Sequence, residues 1–326
     1  MASTTDLRLE NLFSVKGYKC VVTGGGTGIG LMATQVLAAN GATVYITGRR
    51  LEVLENAAKT HSPTEDGQGR IIPVGPCDVT KKEDLEWLVA QISQKEEHID
   101  LLITNAGTSG PRAWPDEPQA DNLKEKLWSN ESVPDWSSVF TTNVTSVYFT
   151  TVAFLPLLQT SSSAFKTHAR DGPTPPSEEQ SGPTPATAQT HRPRTTRHGA
   201  SVIVISSMSG LMKDSQGHFS YNAAKAGTIH LAKMMSAEFE KAEVRVNSIA
   251  PGYFPSEMTT GGQSDDRQKS HVPDQKIKDK GNVPAERPGS DEEMGQAVVF
   301  LTKNTYVNGE VLVVDGGTLL KVPGAR

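Results

Sequence analysis

Tyr221 and Lys225, four positions apart, are the two side chains of this chain best placed to move a proton. They fall in a stretch, Ser220 to Phe239, well supplied with Ala, Lys, Met and Leu, which predicts a helix. On a helix that spacing sets the phenol and the ammonium on one face. A nearby cation favours phenolate over phenol, which makes a tyrosine useful as a proton donor or acceptor near neutral pH. Taken alone, the pair also reads as two residues of a solvated helix face.

A second group is Gly24-Gly25-Gly26-Thr27-Gly28-Ile29-Gly30. It closes a short apolar run, Tyr18 to Thr23, and opens a helical pattern through Met32, Ala33, Val36 and Leu37 that stops at Asn40-Gly41. Strand, glycine turn and helix together cradle a dinucleotide pyrophosphate. Glycines let the backbone approach, and the helix N-terminus offers amide donors. The next strand, Thr43 to Thr47, ends at Gly48-Arg49-Arg50, where a site that prefers NAD usually carries an acid for the ribose 2′-hydroxyl. Guanidinium in that place suits a 2′-phosphate, so NADP(H) is expected over NAD(H). The bland alternative is two solvated arginines at a helix start.

The positioning elements follow in order. Arg70 to Val74 reads as a strand ending at Cys77-Asp78-Val79, and Thr80 with Glu83 reads as a capping box opening the next helix. Asp78 has two readings, an acceptor for an adenine amino group or a residue that orders the turn. Ile99 to Thr104 is a strand running into Asn105-Ala106-Gly107. Gly110 to Asp135 is irregular, with a short helix near Leu123 to Trp128. Trp136 to Leu158 is a long helical stretch in which Asn143, by itself, reads as a satisfied core amide. Further strands are expected at Ala200 to Ile205, Val244 to Ile249 and Val311 to Val314. A capping box at Ser290 and Glu293 opens the last long helix. Such regular alternation implies a parallel sheet with right-handed crossovers and a ligand at the carboxyl ends of its strands.

Two stretches depart from the pattern. Thr160 to Gly199 has no Val, Ile, Leu or Met and contains six prolines. It cannot offset its ordering entropy and is read as a disordered loop insertion whose ends lie close together. Thr259 to Pro284, polar and charged, is read as a mobile loop. The low hydrophobic content, 36%, is thus an ordinary core diluted by polar segments. The net charge of -5 gives no reason to expect nucleic acid. Cys20 and Cys77 lack CxxC neighbours and read as buried free thiols of a reducing compartment, and no metal is expected. No apolar run approaches a membrane span and Met1 to Val15 lacks a signal core, so the expectation is a cytoplasmic protein without membrane contact.

In combination these motifs resemble the short-chain dehydrogenase/reductase superfamily, in its single-domain branch. The matching residues, in order, are Thr23-Gly24-xxx-Gly28-Ile29-Gly30, Asn105-Ala106-Gly107, Asn143, Ser207-xx-Gly210, Tyr221-xxx-Lys225, Pro251-Gly252 and Asp315-Gly316-Gly317. The surroundings of Tyr221 and of Pro251 look most like 3-oxoacyl reductase-like members, the rhamnolipid type included, and their fungal secondary-metabolite relatives. The resemblance implies Tyr221 as the general acid and Lys225 as the residue that lowers its pKa and holds the nicotinamide ribose. It implies Ser207 on the substrate oxygen and Asn143 holding a water of the proton relay. It assigns Gly24, Thr27, Gly28, Ile29, Gly30, Arg49, Asp78, Val79, Asn105, Ala106, Gly107, Pro251 and Gly252, with Tyr221 and Lys225, to the cofactor. Ser207 and Tyr221 lie one residue further apart than the family pattern, so the loop between them must bulge, and Ser206 or Ser209 are the alternatives to Ser207. The segment Thr302 to Tyr306 is also short.

The expected architecture is a Rossmann-type α/β fold, a doubly wound parallel sheet of about seven strands. Residues 1–14 form a tail, and 15–326 form one domain interrupted by the insertion at 160–199. The expected function is NADPH-dependent interconversion of a hydrophobic ketone and a secondary alcohol, with the segment after Gly252 as a lid. The alternatives are a non-catalytic NADP(H)-binding sensor or scaffold, and a dehydratase or epimerase on the same fold. By resemblance the chain is a homodimer or homotetramer acting on a small molecule.

Overall fold

The computed structural model describes residue 4 and residues 7–64, 69–170, 199–262 and 264–322. A helical turn, α1 (Leu9–Leu12), precedes β1 (Lys19–Thr23), α2 (Gly28–Ala39), β2 (Thr43–Thr47), α3 (Leu51–His61), β3 (Arg70–Pro73), α4 (Lys82–Ser93) and β4 (Leu101–Thr104). Then come α5 (Ala120–Asn130), α6 (Val133–Phe140), a π-turn at Thr141–Thr145, α7 (Ser146–Arg170), β5 (Ser201–Ile205) and α8 (Phe219–Glu238). The chain closes with β6 (Arg245–Pro251), α9 (Glu257–Thr260), α10 (Asp274–Lys278), α11 (Asp291–Lys303), β7 (Val311–Val314) and α12 (Thr318–Lys321).

All seven strands are parallel, in the order β3-β2-β1-β4-β5-β6-β7. Side chains alternate across the sheet, so each inner strand feeds two cores. Cys20, Val22, Leu101, Ile103 and Ile203 face one side with α2 and α11, while Val21, Leu102, Val202 and Val204 face the other with α4, α7 and α8. Strand order reverses between β1 and β4. In register there, Thr23 pairs with Thr47 on one side and with Thr104 on the other, so three strands end together and open a crevice.

Four local expectations are corrected. Thr80 does not cap α4. Lys81 holds that position without a side-chain bond, because the Thr80 hydroxyl is turned to Asp78 instead, at 2.7 Å. The long stretch after Trp136 is not one helix but two joined by the π-turn. The helix expected to stop at Leu158 continues to Arg170, so residues 160–170 are helical, and residues 171–198 lie outside those described. Its serines are anchors, not solvated loop: Ser161 Oγ donates to Asp100 at 2.6 Å, and Ser162 Oγ donates to the Glu243 carbonyl at 2.9 Å. Ser162 Oγ also accepts from the Ala200 amide at 3.1 Å, which brings the two ends of the 160–199 stretch together as expected. Finally, Thr259 to Pro284 is not featureless, since Val272, Ile277 and Val283 close into a small core under Tyr253. The short segment after α11 is explained by Arg245, fully buried, whose guanidinium donates to the carbonyls of Leu301, Thr302, Asn304 and Val307 at 3.0–3.3 Å.

Candidate active site

The crevice is a cleft of roughly 850 Å³ lined by the ends of five strands and by the segment after Gly252. Its floor is the glycine turn. Gly24 and Gly28 have left-handed backbones (φ 64° and 52°), which only glycine adopts readily. α2 begins there with Thr27 as its N-cap, and the Thr27 side chain makes no capping bond. The first amides of a twelve-residue helix therefore face the cleft with the positive end of its dipole, a natural seat for a phosphate. Asn105 ties the floor together, its Nδ2 donating to the carbonyls of Thr23 and Gly24 at 3.0 and 3.1 Å.

At the other end stand the proton-transfer residues. Tyr221 and Lys225 sit on α8, and Ser207 precedes a 3-10 turn, Met208–Gly210. A Cβ on Gly210 would lie 2.6 Å from the backbone of Lys225 and Ala226, so glycine is what lets this turn rest on α8. Ser207 lines the cleft, and its Oγ accepts from the Ser209 amide at 3.1 Å. The alternatives to Ser207 are occupied. Ser206 Oγ donates to the Ile249 carbonyl at 2.8 Å and accepts from Ser248, and Ser209 Oγ turns to Gln216 at 3.5 Å.

Burial pushes the Tyr221 phenol above its usual value and outweighs the hydrogen bond from Ser207 that draws it down. The Lys225 ammonium, 5.7 Å from the Tyr221 ring centre, donates to the Ile205 carbonyl at 2.9 Å, and its own burial lowers it to about 8.

Among the predicted residues Gly30 and Asn143 stand behind the cleft wall; the others line it. A Cβ on Gly30 would come within 2.1 Å of the Gly24 carbonyl, so Gly30 serves the packing of helix on turn. Asn143, fully buried in the π-turn, accepts from the Thr108 amide at 3.0 Å and donates to the Thr108 carbonyl at 2.8 Å. Asp78 keeps its turn-ordering role through Thr80. Burial raises its carboxyl, but the Thr80 bonds and the charges of Arg49 and Lys81 bring it below the usual range. The two arginines part company. Arg50 is held by Glu257 through two bonds of 2.8 and 3.2 Å, whereas Arg49, exposed at the cleft, makes no hydrogen bond or ion pair among the described residues. Sequence reasoning missed Glu257, Thr108 and the hydroxyls of Ser137, Ser138, Thr141 and Thr142 on this wall. Only the proximity of Glu257 to the Pro251-Gly252 motif hinted at one of them.

A family model described as short chain dehydrogenase matches residues 19–164, and one described as enoyl-(acyl carrier protein) reductase matches 183–318. The chain is 36% identical to the short-chain dehydrogenase/reductase VdtF of Byssochlamys spectabilis over 98% of both chains. It is 29% identical to the rhamnolipids biosynthesis 3-oxoacyl-[acyl-carrier-protein] reductase of Pseudomonas aeruginosa, over 94% of this chain and 97% of that one. Among solved structures, the Pseudomonas aeruginosa RhlG/NADP active-site complex superposes with a TM-score of 0.68 at 27% identity, covering 94% of this chain and 98% of that one. The chain belongs to the short-chain dehydrogenase/reductase family, oxidoreductases that use a nicotinamide cofactor on small molecules. Its own residues fit such a cofactor, with an uncapped helix N-terminus and a glycine cradle at one end of the cleft and Ser207, Tyr221 and Lys225 at the other. No helix among the described residues is long and apolar enough to cross a membrane.

Proposed function

We infer that the protein is an NADPH-dependent reductase that interconverts a hydrophobic ketone, of 3-oxoacyl or polyketide-like kind, and its secondary alcohol. One observation carries this reading: Ser207, Tyr221 and Lys225 line one cleft wall, with the Lys225 ammonium 5.7 Å from the Tyr221 ring centre. When bound, the cofactor supplies the hydride. The protein supplies the proton and the charge stabilisation. As a carbonyl oxygen gains negative charge, the Tyr221 phenol gives it a proton and the Ser207 hydroxyl donates to it, with the Ser209 amide keeping Oγ aimed. A phenol held above its usual value retains its proton until that oxygen demands it. Lys225 then restores Tyr221 through water. A Cβ at Gly107 would lie 2.8 Å from Asn143 Oδ1 and 3.7 Å from Lys225 Nζ, so any side chain there would come between the two groups. Oδ1 has a second lone pair beyond the one given to Thr108, enough to hold the relay water.

The preference for NADPH rests on Arg49 at the end of β2 and on the absence of an acid there. Tyr221 and Lys225, one helical turn apart, favour carbonyl over enoyl reduction, the chemistry named by the second family model. The exposed Tyr148 on α7 and Met234 on α8 support a homodimer or homotetramer through those helices, and the two free, buried cysteines suit a cytoplasmic setting. The test is turnover of NADPH and NADH with a panel of ketones and 3-oxoacyl thioesters, beside Tyr221→Phe. Loss of about a thousandfold in kcat is expected in a variant that still binds NADPH. Undiminished reduction by the variant would overturn the assignment.

A further inference from the structure

The residue by which the loop between Ser207 and Tyr221 exceeds the family spacing has a structural counterpart. Gln216 and Gly217 are consecutive left-handed residues (φ 50° and 73°), a tight reversal just before α8. Each half of the reversal supports a different neighbour. Gln216 Nε2 donates to the Tyr253 hydroxyl at 2.7 Å. The Gly217 carbonyl accepts from the Ala113 amide at 2.7 Å, and its missing side chain makes room for Arg112, whose Cγ would lie 3.2 Å from a Cβ there.

Two cations are laid over aromatic rings by this arrangement. The Arg112 guanidinium lies 4.5 Å from the Trp114 ring centre, and the Lys280 ammonium 4.6 Å from that of Tyr253. Both are exposed, and neither side chain has a hydrogen bond or ion pair among the described residues. They are close enough that Arg112 helps hold Lys280 below its usual value, behind burial as the larger cause. Two carboxylates lie nearby without pairing with either cation, and one oxygen of Glu131 is buried with no partner among the described residues. Asp214 accepts from the Gln216 amide at 2.9 Å, and Glu131 accepts from the Trp136 indole. The pair adjoins the chemistry, since the His218 ring, which also feels Arg112, packs edge-on against Tyr221 at 6.3 Å and buries an Nδ1 with no partner among the described residues.

Two cations on rigid aromatic supports, neither in an ion pair among the described residues, form a pre-organised anion site even with the Asp214 and Glu131 carboxylates in the neighbourhood. We propose that Arg112 and Lys280 form a cationic rim beside Tyr221 that binds an anionic group, a carboxylate or a phosphate ester, on the carbonyl substrate. This rests on the reductase reading and narrows its substrate class: an apolar body with a charged end. The extra residue before Tyr221 is then the feature that sets specificity, by seating both arms of the rim.

The test measures binding to the full-length protein in the presence of NADP, with two matched pairs of 3-oxoacyl compounds. One pair is a free terminal carboxylate and its methyl ester; the other is a phosphopantetheine thioester and its pantetheine counterpart. The protein should bind the charged member of one pair at least about tenfold more tightly, and the advantage should shrink with salt. Arg112→Gln and Lys280→Gln should each remove most of that advantage while leaving the neutral member, NADP affinity and melting temperature unchanged. The discriminated pair tells carboxylate from phosphate. Equal binding within both pairs, no binding of either anion, or equal loss for charged and neutral members would overturn the proposal. Charged compounds that bind but are not reduced would count instead against the reductase reading.

Discussion

At the ends of β1, β2 and β4 the cleft is held backbone against backbone. The Gly24 amide donates to the Thr47 carbonyl at 2.7 Å, Asn105 reaches back to Thr23 and Gly24, and Gly30 lies against the Gly24 carbonyl with no space for a methyl group. Around Tyr253 and Lys280 the rim is held side chain against side chain, by a glutamine on a tyrosine and cations on rings, over a core of only three buried apolar residues. The first construction tolerates no displacement, because close-packed backbone has no alternative rotamers. The second can be altered one residue at a time at little cost to folding. A nicotinamide cofactor is a fixed shape and a substrate is not, and the two constructions divide along that line.

Gly30→Ala is the strongest way to break the comparison. Its methyl group would fall inside the Gly24 carbonyl, so α2 must move off the turn. A loss of about 3 kcal/mol in unfolding free energy is expected, together with weakened cofactor binding. Gln216→Ala removes two side-chain hydrogen bonds, one to Tyr253 and a longer one from Ser209, at a cost of about 1–2 kcal/mol, and should raise KM for the carbonyl substrate while leaving cofactor affinity intact. Chemical denaturation and cofactor titration of both variants decide the matter. A Gln216→Ala protein as damaged as Gly30→Ala would mean that rim and wall fold as one unit.

The same division governs what the sequence makes legible. Glycines at a strand end, an (i, i+4) pair on a helix and period-two apolar strands are local signals, and they specify the sheet, its order and most of the cleft wall. Arg50 and Glu257 stand far apart in the chain, and nothing local to either announces their pairing. Ser161 and Ser162 look like loop residues because composition averages over a window, whereas their anchors, Asp100 and Glu243, come from elsewhere in the fold. Asn143 is the instructive middle case. Its burial is readable from its apolar surroundings, but the π-turn that aims it at Thr108 is not.

Lys225 offers a smaller effect with a definite sign. Its folded-state value is about 8 and its ordinary value 10.5. Between those values the unfolded chain binds the proton that the folded chain has released, so stability rises with pH across that window and is level below it. The cost of burying the ammonium is fully present below pH ~8, and its relief is worth about 2 kcal/mol by pH ~10. Lys225→Met lacks the titrating group, so its stability should not follow this rise. Denaturant unfolding of both proteins at the two pH values reads the difference directly. Parallel pH dependence of the two would show that Lys225 is not desolvated as its burial implies.

The smallest expected effect separates two adjacent arginines. Arg49 is open at the cleft and Arg50 is committed to Glu257, whose carboxyl lies below its usual range because the Arg50 and Ser264 contacts outweigh burial. A 2′-phosphate arriving there meets a free guanidinium at Arg49 without breaking any bond, whereas recruiting Arg50 forfeits a half-exposed ion pair worth up to about 1 kcal/mol. Arg49→Ala should therefore weaken NADPH about tenfold with little change for NADH, and Arg50→Ala should weaken NADPH by less than about threefold. Titrating both cofactors into each variant by fluorescence resolves this. Equal losses for the two variants would mean that the phosphate draws Arg50 away from Glu257. In that event Glu257→Gln should tighten NADPH, because the same guanidinium would then come without a competitor.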